Sequence, residues 1–201
     1  MMFNREYWDK LYSPDVFLFG ESPNLFLKDK LVEIPAGKIL FAAEGEGRNA
    51  VFAAQNGWSV SAFDLSVVAK HKADTLAQKA GLEIDYHVGD IAQLDYESES
   101  FDVLALIFAH FEPEKRSTLH KQLSSYLKRG GWLILQGFGN GKSLGEDAHT
   151  STHELYYDLE MLKKDFADFE MIEISEKIIQ MNEGRVLQGQ SVIVSMLARK
   201  K

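Results

Sequence analysis

The sequence predicts an α/β domain in which helices flank a doubly wound, mostly parallel, seven-stranded sheet with a C-terminal antiparallel hairpin. Short apolar runs alternate with helical patterns after the first 30 residues, which is the order that right-handed βαβ crossovers require. The runs lack strict polar alternation, as is typical of strands that are buried on both faces of a parallel sheet. A glycine-rich turn follows the first run and indicates a nucleotide-like ligand.

The composition is that of one acidic globular domain of 201 residues, which suits a single core. The net charge of −8 repels phosphate backbones, so nucleic acid is not an expected partner. The absence of cysteine excludes disulfides, thiolate metal sites and a cysteine nucleophile. The first residues lack the apolar core of a signal peptide, and no apolar run is long enough to span a bilayer. We therefore expect a cytoplasmic monomer or homodimer with no membrane partner.

Five apolar runs account for the predicted parallel strands. They cover residues 38–43, 59–63, 84–88, 101–108 and 131–137.

Capping signals predict the helices between these runs. Ser66 is suited to cap a helix that stops at Gly81. Pro113 suits the first turn of the next helix, and we expect Gly130 and Gly131 to end that helix.

The end of the chain has a different pattern from the alternating strands and helices before it. A short helix near 158–166 precedes two long strand-like runs, 169–180 and 190–198, and the glycine-containing segment between them indicates an antiparallel hairpin. We expect one domain with three parts: a helical lid segment, a cofactor-binding core, and a C-terminal helix and hairpin. Their predicted bounds are 1–30, 38–140 and 141–201.

The glycine turn is the strongest chemical signal in the chain. Residues Gly45-Glu-Gly47-Arg-Asn-Ala50 fit the pattern G-x-G-x-x-A, and Asp64 ends the second run. The glycines let the backbone approach a ligand closely, and the acid suits a ribose. This pattern alone permits a nicotinamide dinucleotide as well as S-adenosylmethionine.

Three features favour S-adenosylmethionine. The first strand is expected to continue through Phe41-Ala-Ala-Glu44, which gives a wider turn than a dinucleotide site has. Glu44 and Glu46 inside the turn would repel a pyrophosphate, whereas a methionyl ammonium or a sulfonium tolerates them. The terminal hairpin also departs from an all-parallel dinucleotide fold.

On these motifs the chain resembles the class I S-adenosylmethionine-dependent methyltransferases, which implies a Rossmann-like methyltransferase fold. Beyond the glycine turn and Asp64, the resemblance rests on three further segments. They are Val88-Gly-Asp90-Ile91, the run from Phe101 to Phe108, and Leu127-Lys-Arg-Gly-Gly-Trp-Leu-Ile-Leu135.

Within that class the N-terminal segment is similar to the tellurite-resistance and thiopurine methyltransferases. The similarity lies in Tyr7-Trp-Asp-Lys-Leu-Tyr12, Phe17-Leu-Phe-Gly20 and Pro23-Asn24. The chain departs from the usual glycine motif of the class, D-x-G-x-G-x-G, because Phe41 replaces the Asp and Ala43 replaces the first Gly. Glu44 or Glu46 is then the expected substitute near the methionyl amine.

The resemblance implies the roles of the cofactor-binding residues. Asp64 would accept hydrogen bonds from the ribose hydroxyls, Asp90 from the adenine amino group, and Ile91 would cover the ring. A helix cap, a turn aspartate and a core side chain are the structural alternatives for Asp64, Asp90 and Phe108. The predicted cofactor site comprises Ala43, Glu44, Gly45, Glu46, Gly47, Asn49, Asp64, Leu65, Asp90, Ile91, Phe108 and Ala109.

The methyl acceptor leaves a weaker signal, because methyl transfer depends mainly on the alignment of the reacting atoms. His110 is the candidate to contact the acceptor or take a proton; a loop histidine bonded to a backbone carbonyl is the alternative. The predicted substrate pocket comprises Trp8, Tyr12, Phe19 and Phe111, and Phe17 would extend an aromatic lid. Simple packing of an N-terminal helix on the sheet is the alternative for these aromatic residues.

Two other groups of polar residues are expected to have no part in catalysis. His149 and His153 have the spacing of a metal pair, but no third ligand lies nearby in the sequence, so no metal is predicted. Glu183 and Arg185 lie in the hairpin, where surface turn residues are the default expectation and a contact with the pocket is the alternative.

The sequence thus predicts an S-adenosylmethionine-dependent methyltransferase that acts on a small molecule, with a soft sulfur, selenium or tellurium nucleophile among the possible acceptors. A non-catalytic S-adenosylmethionine-binding module is one alternative. An NAD(P)-dependent oxidoreductase is another, but the sequence shows no residue pair suited to hydride transfer.

Overall fold

A seven-stranded sheet organises residues 4–139 and 155–201, the part of the chain that this computed structural model describes. Its strands are β1 (Lys38–Ala42), β2 (Ser59–Asp64), β3 (Asp85–Val88), β4 (Phe101–Ile107), β5 (Leu127–Phe138), β6 (Phe169–Glu183) and β7 (Leu187–Lys200). The helices are α1 (Arg5–Tyr12), α2 (Leu25–Glu33), α3 (Arg48–Gln55), α4 (Val67–Lys79), α5 (Pro113–Tyr126) and α6 (Leu159–Asp165), with a 3₁₀ turn at Ile91–Gln93.

The strand order confirms the predicted doubly wound sheet with a terminal hairpin. The order is β3-β2-β1-β4-β5-β7-β6. The first five strands are parallel, and β7 pairs antiparallel with both β5 and β6. The chain reverses its direction of winding between β1 and β4, so their carboxyl ends border the crevice where open α/β sheets bind ligands.

The two strands at this reversal end earlier than the sequence predicts. Ala43 and Phe108 have φ values of 53° and 54°, in the left-handed region. The backbone therefore turns at these residues, and the prediction that β1 continues as far as Glu44 is wrong. Left-handed residues other than glycine are strained by about 1–3 kcal/mol, and such strain is common at ligand sites.

The helix signals at Ser66, Gly81 and Pro113 are confirmed, and the one at Gly130 is wrong. Helix α4 ends at Lys79, and Gly81 follows it with a left-handed φ of 70°. Ser66 Oγ accepts a hydrogen bond from the N–H of Ala69 at 3.0 Å and caps α4. Pro113 begins α5. That helix ends at Tyr126 rather than at Gly130, because Leu127 already pairs with β4. The two glycines instead lie inside β5, where the register with β4 shifts and Gly130 has a φ of 74°.

Apolar side chains cover both faces of the sheet. Phe41 lies in the cluster on the face that α2 and α3 cover, together with Leu27 and Ala50. Leu104 and Leu123 belong to the cluster that α5 covers on the opposite face. Within the described ranges, no helix is long and apolar enough to cross a membrane.

The hairpin of β6 and β7 reaches back to the N-terminal segment. Its strands are longer than predicted, and they pair until Glu183 lies opposite Leu187. In the turn, the N–H of Arg185 donates to the carbonyl of Leu18 at 2.7 Å. A Cβ atom on Gly184 would lie 2.2 Å from that carbonyl oxygen, so only glycine fits this contact.

We predict that Gly184→Ala destabilises the protein far more than Gly57→Ala. Both glycines have a left-handed φ, of 60° and 84°, but a Cβ atom at Gly57 meets nothing within 4 Å. The control variant should lose about 1 kcal/mol of unfolding free energy through backbone strain alone. The Gly184 variant should lose about 3 kcal/mol or more, because strain and steric overlap add. Urea unfolding of the two variants measures the difference, and equal losses would contradict the docking of the hairpin on the N-terminal segment.

Candidate functional site

A cavity of ≈ 330 Å³ lies at the carboxyl ends of β1, β2 and β4, between the N-terminal segment and the hairpin. Most of the predicted site residues line it. These are Trp8, Tyr12, Phe19, Ala43, Glu44, Gly45, Glu46, Asn49, Asp64, Leu65, Asp90, Ile91, Phe108, His110 and Phe111. The structure therefore brings both predicted halves of the site, for cofactor and for acceptor, into one enclosure.

The carboxylate of Glu44 fixes the glycine turn from inside. Its Oε1 accepts hydrogen bonds from the N–H groups of Asn49 at 2.9 Å and Ala50 at 2.8 Å. A carboxylate at this place satisfies free donors at the start of α3 and favours the positive end of the helix dipole. Burial nevertheless raises the pKa of Glu44 to about 7.

Asp64 fixes the same turn from the neighbouring strand. Its Oδ2 accepts from the N–H of Gly45 at 3.0 Å, and its Oδ1 accepts from the N–H of Ser66 at 2.9 Å. The hydroxyl of Tyr86 donates to the carbonyl of Gly45 at 2.7 Å, so both backbone groups of that glycine are held. Burial raises the pKa of Asp64 to about 6. Asp64 thus acts within the turn and also lines the cavity.

The other two charged residues of the turn hold the N-terminal segment through Phe19. Glu46 Oε2 accepts from the N–H of Phe19 at 3.1 Å, while its Oε1 pairs with the Lys72 ammonium at 2.9 Å. Arg48 donates to the carbonyl of Phe19 at 2.9 Å and pairs with the carboxylate of Glu183 at 2.6 Å. Glu183 is therefore a half-buried partner of the turn, whereas the sequence favours a surface residue at this position.

Three of the residues that the sequence assigns to the site or its aromatic lid lie outside the cavity. Gly47 faces α4, where a Cβ atom would lie 2.5 Å from the Cβ of Ala73. Ala109 is buried, and its carbonyl accepts from the hydroxyl of Tyr157. Phe17 packs between α3 and α4, so it does not extend the aromatic lid.

Asp90 and Ile91 form the part of the wall beyond β3. Asp90 Oδ1 accepts from the N–H of Ala92 at 2.9 Å and caps the 3₁₀ turn. Ile91 is buried beside it. Asp90 thus caps the turn, as its structural alternative implies, and its side chain also borders the cavity.

Helix α1 covers the glycine turn with aromatic rings. The rings of Trp8 and Tyr12 stack with their centroids 5.9 Å apart. A Cβ atom added at Gly45 would lie 2.8 Å from the hydroxyl oxygen of Tyr12, so this tyrosine lies close above the glycine. Asp9 anchors the helix, because its Oδ1 accepts from the hydroxyl of Ser66 at 2.5 Å. These contacts place α1 over the site as a cover.

His110 lines the cavity with a defined tautomer. Its Nδ1 lies 3.1 Å from the carbonyl of Leu155, which can only accept, so Nδ1 carries the proton. The ring stacks between Phe138 and Tyr157, each with its centroid 5.7 Å away. Burial lowers the pKa of His110 to about 4, so the ring is neutral at pH 7. Its Nε2 is buried without a hydrogen-bond partner among the described residues.

A second buried histidine behind this ring is absent from the sequence-based site. His120 is fully buried, and its Nδ1 lies 2.9 Å from the carboxylate of Asp165, which also pairs with Arg116 at 2.8 Å. The rings of His120 and Tyr157 stack 6.0 Å apart. The spacing of Arg116 and His120 on one helix face hints at a shared partner, but Asp165 is too distant in sequence to be identified. This group supports the wall that holds His110.

The end of β5 and the hairpin also supply walls that the sequence did not reveal. Phe138, Met181 and Leu187 line the cavity beside Phe108. His149 and His153 lie outside the described residues. Among residues 4–139 and 155–201, no group of three or more His, Asp or Glu side chains is arranged to hold a metal ion.

Part of the chain matches a known family by sequence. A family model described as a methyltransferase domain matches residues 39–131, from β1 into β5. Carboxy-S-adenosyl-L-methionine synthase from Aeromonas hydrophila subsp. hydrophila is 31% identical over 125 residues, which are 61% of this chain and 48% of that enzyme. The chain thus spans about half the length of this curated relative. S-adenosyl-L-methionine is the cofactor that the matched domain implies.

Solved structures share the fold over nearly the whole chain. A protein studied for the conversion of a disulfide bond into a thioacetal group during echinomycin biosynthesis has a TM-score of 0.78 and 18% identity, and the match covers 98% of this chain and 91% of that one. TehB from Haemophilus influenzae has a TM-score of 0.73 and 19% identity, with 98% and 67% covered. At these identities the likeness concerns the fold alone, so the grouping with thiopurine methyltransferases stays a prediction.

We predict that Glu44→Gln stabilises the protein at high pH. Burial raises the pKa of Glu44 from 4.5 to about 7, so the folded chain keeps a proton that the unfolded chain releases in this window. The Glu44 contribution to stability therefore falls as the pH rises from about 4.5 to 7. Glutamine keeps an acceptor oxygen and cannot ionise, so the variant should gain about 2–3 kcal/mol of unfolding free energy at about pH 8 and little at about pH 5.

Urea unfolding of the wild type and the variant at both pH values measures this difference. Glu97→Gln, at an exposed position, controls for the loss of one negative charge. A Glu44 variant that is less stable than the wild type at the higher pH would show that the ionised carboxylate is needed to hold the turn.

Proposed function

We propose that this chain, in which residues 39–131 match a methyltransferase domain, transfers the methyl group of S-adenosylmethionine to a small-molecule acceptor. The observation that carries the proposal is the fixed turn at the strand reversal. There, Gly45 is held open to the cavity by Asp64 on the adjacent strand and by Tyr86. Binding at the carboxyl ends of the strands, where the winding reverses, is the rule for nucleotide ligands of open α/β sheets.

The residues of the cofactor half suit the parts of S-adenosylmethionine. Asp64 keeps acceptor capacity for a ribose hydroxyl, because its two oxygens have about four acceptor sites and the backbone N–H groups of Gly45, Leu65 and Ser66 account for three. Asp90 and Ile91 offer an acceptor and an apolar face to the adenine. The stacked rings of Trp8 and Tyr12 cover this half and can face a sulfonium through their π systems.

Of the two acids in the turn, Glu44 is the better replacement for the Asp that is usual at position 41. Both oxygens of Glu46 already have partners, Lys72 and the N–H of Phe19. Glu44 uses Oε1 for two backbone bonds, while its Oε2 has a single contact, 3.5 Å from the amide of Asn49. An ammonium group of the cofactor would also compensate the cost of ionising this buried carboxylate.

The cavity extends past the cofactor half, and this supports an enzyme rather than a binding module. Beyond Phe108 it continues to His110 and to the hairpin residues Met181 and Leu187, which leaves room for an acceptor. Such an enclosure excludes water and aligns the nucleophile with the methyl carbon and the sulfur, and alignment can supply about 7–11 kcal/mol. A soft nucleophile such as a thiol needs little further activation. His110 is the side chain of this part of the cavity that is best suited to accept a proton.

We predict that Asp64→Asn weakens the binding of S-adenosylhomocysteine by about 10- to 100-fold. The variant loses charged hydrogen bonds, each worth about 1.5–3 kcal/mol, and sets an amide N–H against the turn. Asp102→Asn is the matched control, because Asp102 pairs with Lys128 at the other end of the sheet. Calorimetry of both variants against the wild type measures the effect. Tight binding of NAD to the wild type with none of S-adenosylhomocysteine would overturn the proposed function.

A further inference from the structure

We propose that the acceptor is an uncharged, largely apolar molecule whose nucleophilic atom carries a proton, and that Nε2 of His110 receives that proton during methyl transfer. The inference rests on the proposed function, since it names the substrate class of the same cavity. Three independent features carry it: the apolar walls, the pairing of both cationic side chains that line the described part of the cavity, and the tautomer of His110.

Apolar side chains from β5, β6 and β7, and from the residue after β4, form much of the acceptor end of the cavity. The uncharged polar residues Gln188, Gln190 and Ser191 of β7 also line the cavity. Phe108 follows β4, Phe138 ends β5, and their rings lie 5.0 Å apart. Met181 on β6 and Leu187 on β7 are buried in the same cluster, which Phe19 joins from the N-terminal segment. An acceptor held against such walls buries apolar surface and gains about 25 cal/mol for each Å² removed from water.

No unpaired cation lines the cavity within the described ranges. Among the described residues, Arg48 and Lys115 are the only Lys or Arg side chains that line it. Arg48 pairs with Glu183 at 2.6 Å, and Lys115 pairs with Glu112 at 2.8 Å. A carboxylate or oxyanion acceptor would thus enter a low-dielectric site in which the described residues offer it no free counter-charge, which is unfavourable.

The acidic residues of the cavity add to this selection against anions. Four carboxylates line it besides that of Glu112: Glu44, Glu46, Asp64 and Asp90. Their field attracts the cationic methyl donor and repels an anionic acceptor. A neutral molecule meets neither the repulsion nor the loss of hydration that an ion would suffer.

Among the described residues that line the cavity, His110 is the one histidine, so its ring offers a proton-accepting nitrogen at this apolar end. Because Nδ1 donates to the carbonyl of Leu155, the lone pair is on Nε2. Stacking between Phe138 and Tyr157 fixes the plane of the ring. Nε2 is buried and has no partner among the described residues, so an X–H group of the acceptor would satisfy it.

The transfer balances without any further reactant. The nucleophilic atom X forms a bond to the methyl carbon, and the carbon–sulfur bond breaks with its electron pair going to sulfur. As X gains positive character its proton becomes strongly acidic. The proton then passes to Nε2, and the electron pair of the X–H bond stays on X. The imidazolium then returns the proton to water. A weak base suffices for such a proton, and burial keeps the pKa of His110 low enough for the ring to be neutral at pH 7.

The first experiment compares a neutral thiol with an analogue that carries an added carboxylate. Benzyl thiol and 4-(mercaptomethyl)benzoate are offered with labelled S-adenosylmethionine, and selenite serves as an oxyanion. We expect kcat/KM for the neutral thiol to exceed that of the carboxylate analogue by at least about 30-fold, with no transfer to selenite. Comparable values for the charged acceptors, or transfer to none of the three, would overturn the inference.

The second experiment separates the base from a merely structural histidine. His110→Asn retains an N–H that can donate to the carbonyl of Leu155 and removes Nε2. With benzyl thiol, we expect kcat/KM of the wild type to be constant between about pH 6 and 8. The variant should be about 100-fold slower at pH 7 and should rise about tenfold per pH unit, because it needs thiolate from solution.

His71→Asn, at an exposed position of α4, is the matched control and should keep the wild-type profile. A His110 variant that is slower but has a flat pH profile would contradict the proton transfer. Calorimetry with S-adenosylhomocysteine distinguishes the two levels of failure. Absence of binding to the wild type would remove the proposed function itself, whereas normal binding with efficient transfer to a charged acceptor would remove the inference alone.

Discussion

Two buried carboxylates that bind backbone N–H groups define the turn on which the rest of the site depends. Glu44 holds the start of α3, and Asp64 holds Gly45 and the residues before α4. Burial disfavours both charges and raises both pKa values, so this arrangement is stable because several N–H donors converge on each group. The same convergence leaves the backbone of Gly45 beside the cavity, where the ring of Tyr12 approaches it closely.

The walls of the cavity follow from this turn through contacts between distant parts of the chain. Glu46 and Arg48 bind the two backbone groups of Phe19, and Arg48 also pairs with Glu183 on the hairpin. Asn24 extends the network, since its amide donates to Gln136 at 2.7 Å and to Glu183 at 3.2 Å. Cofactor turn, N-terminal cover and acceptor wall are therefore one hydrogen-bonded unit, and a change in one should be felt by the others.

The sequence predicted the elements well because periodicity, caps and glycine turns are local signals. Ser66 and Pro113 are examples, and Asp64 could be placed because it ends a strand beside the turn. The roles of Glu46 and Glu183 could not be predicted, because Lys72, Phe19 and Arg48 reach them only through tertiary packing. The prediction that Gly130 ends a helix is wrong because the same glycine signal marks a helix end and an irregular strand pairing.

A crystal structure of the protein with S-adenosylhomocysteine tests the central claim most directly. We expect the ribose to bind at the carboxylate of Asp64, the adenine between Asp90 and Ile91, and the amino group of the ligand at Glu44. The sulfur should then face the end of the cavity that Phe108 and His110 border. A ligand bound outside this cavity, or bound within it away from the turn that Glu44 and Asp64 hold, would contradict the proposed cofactor site.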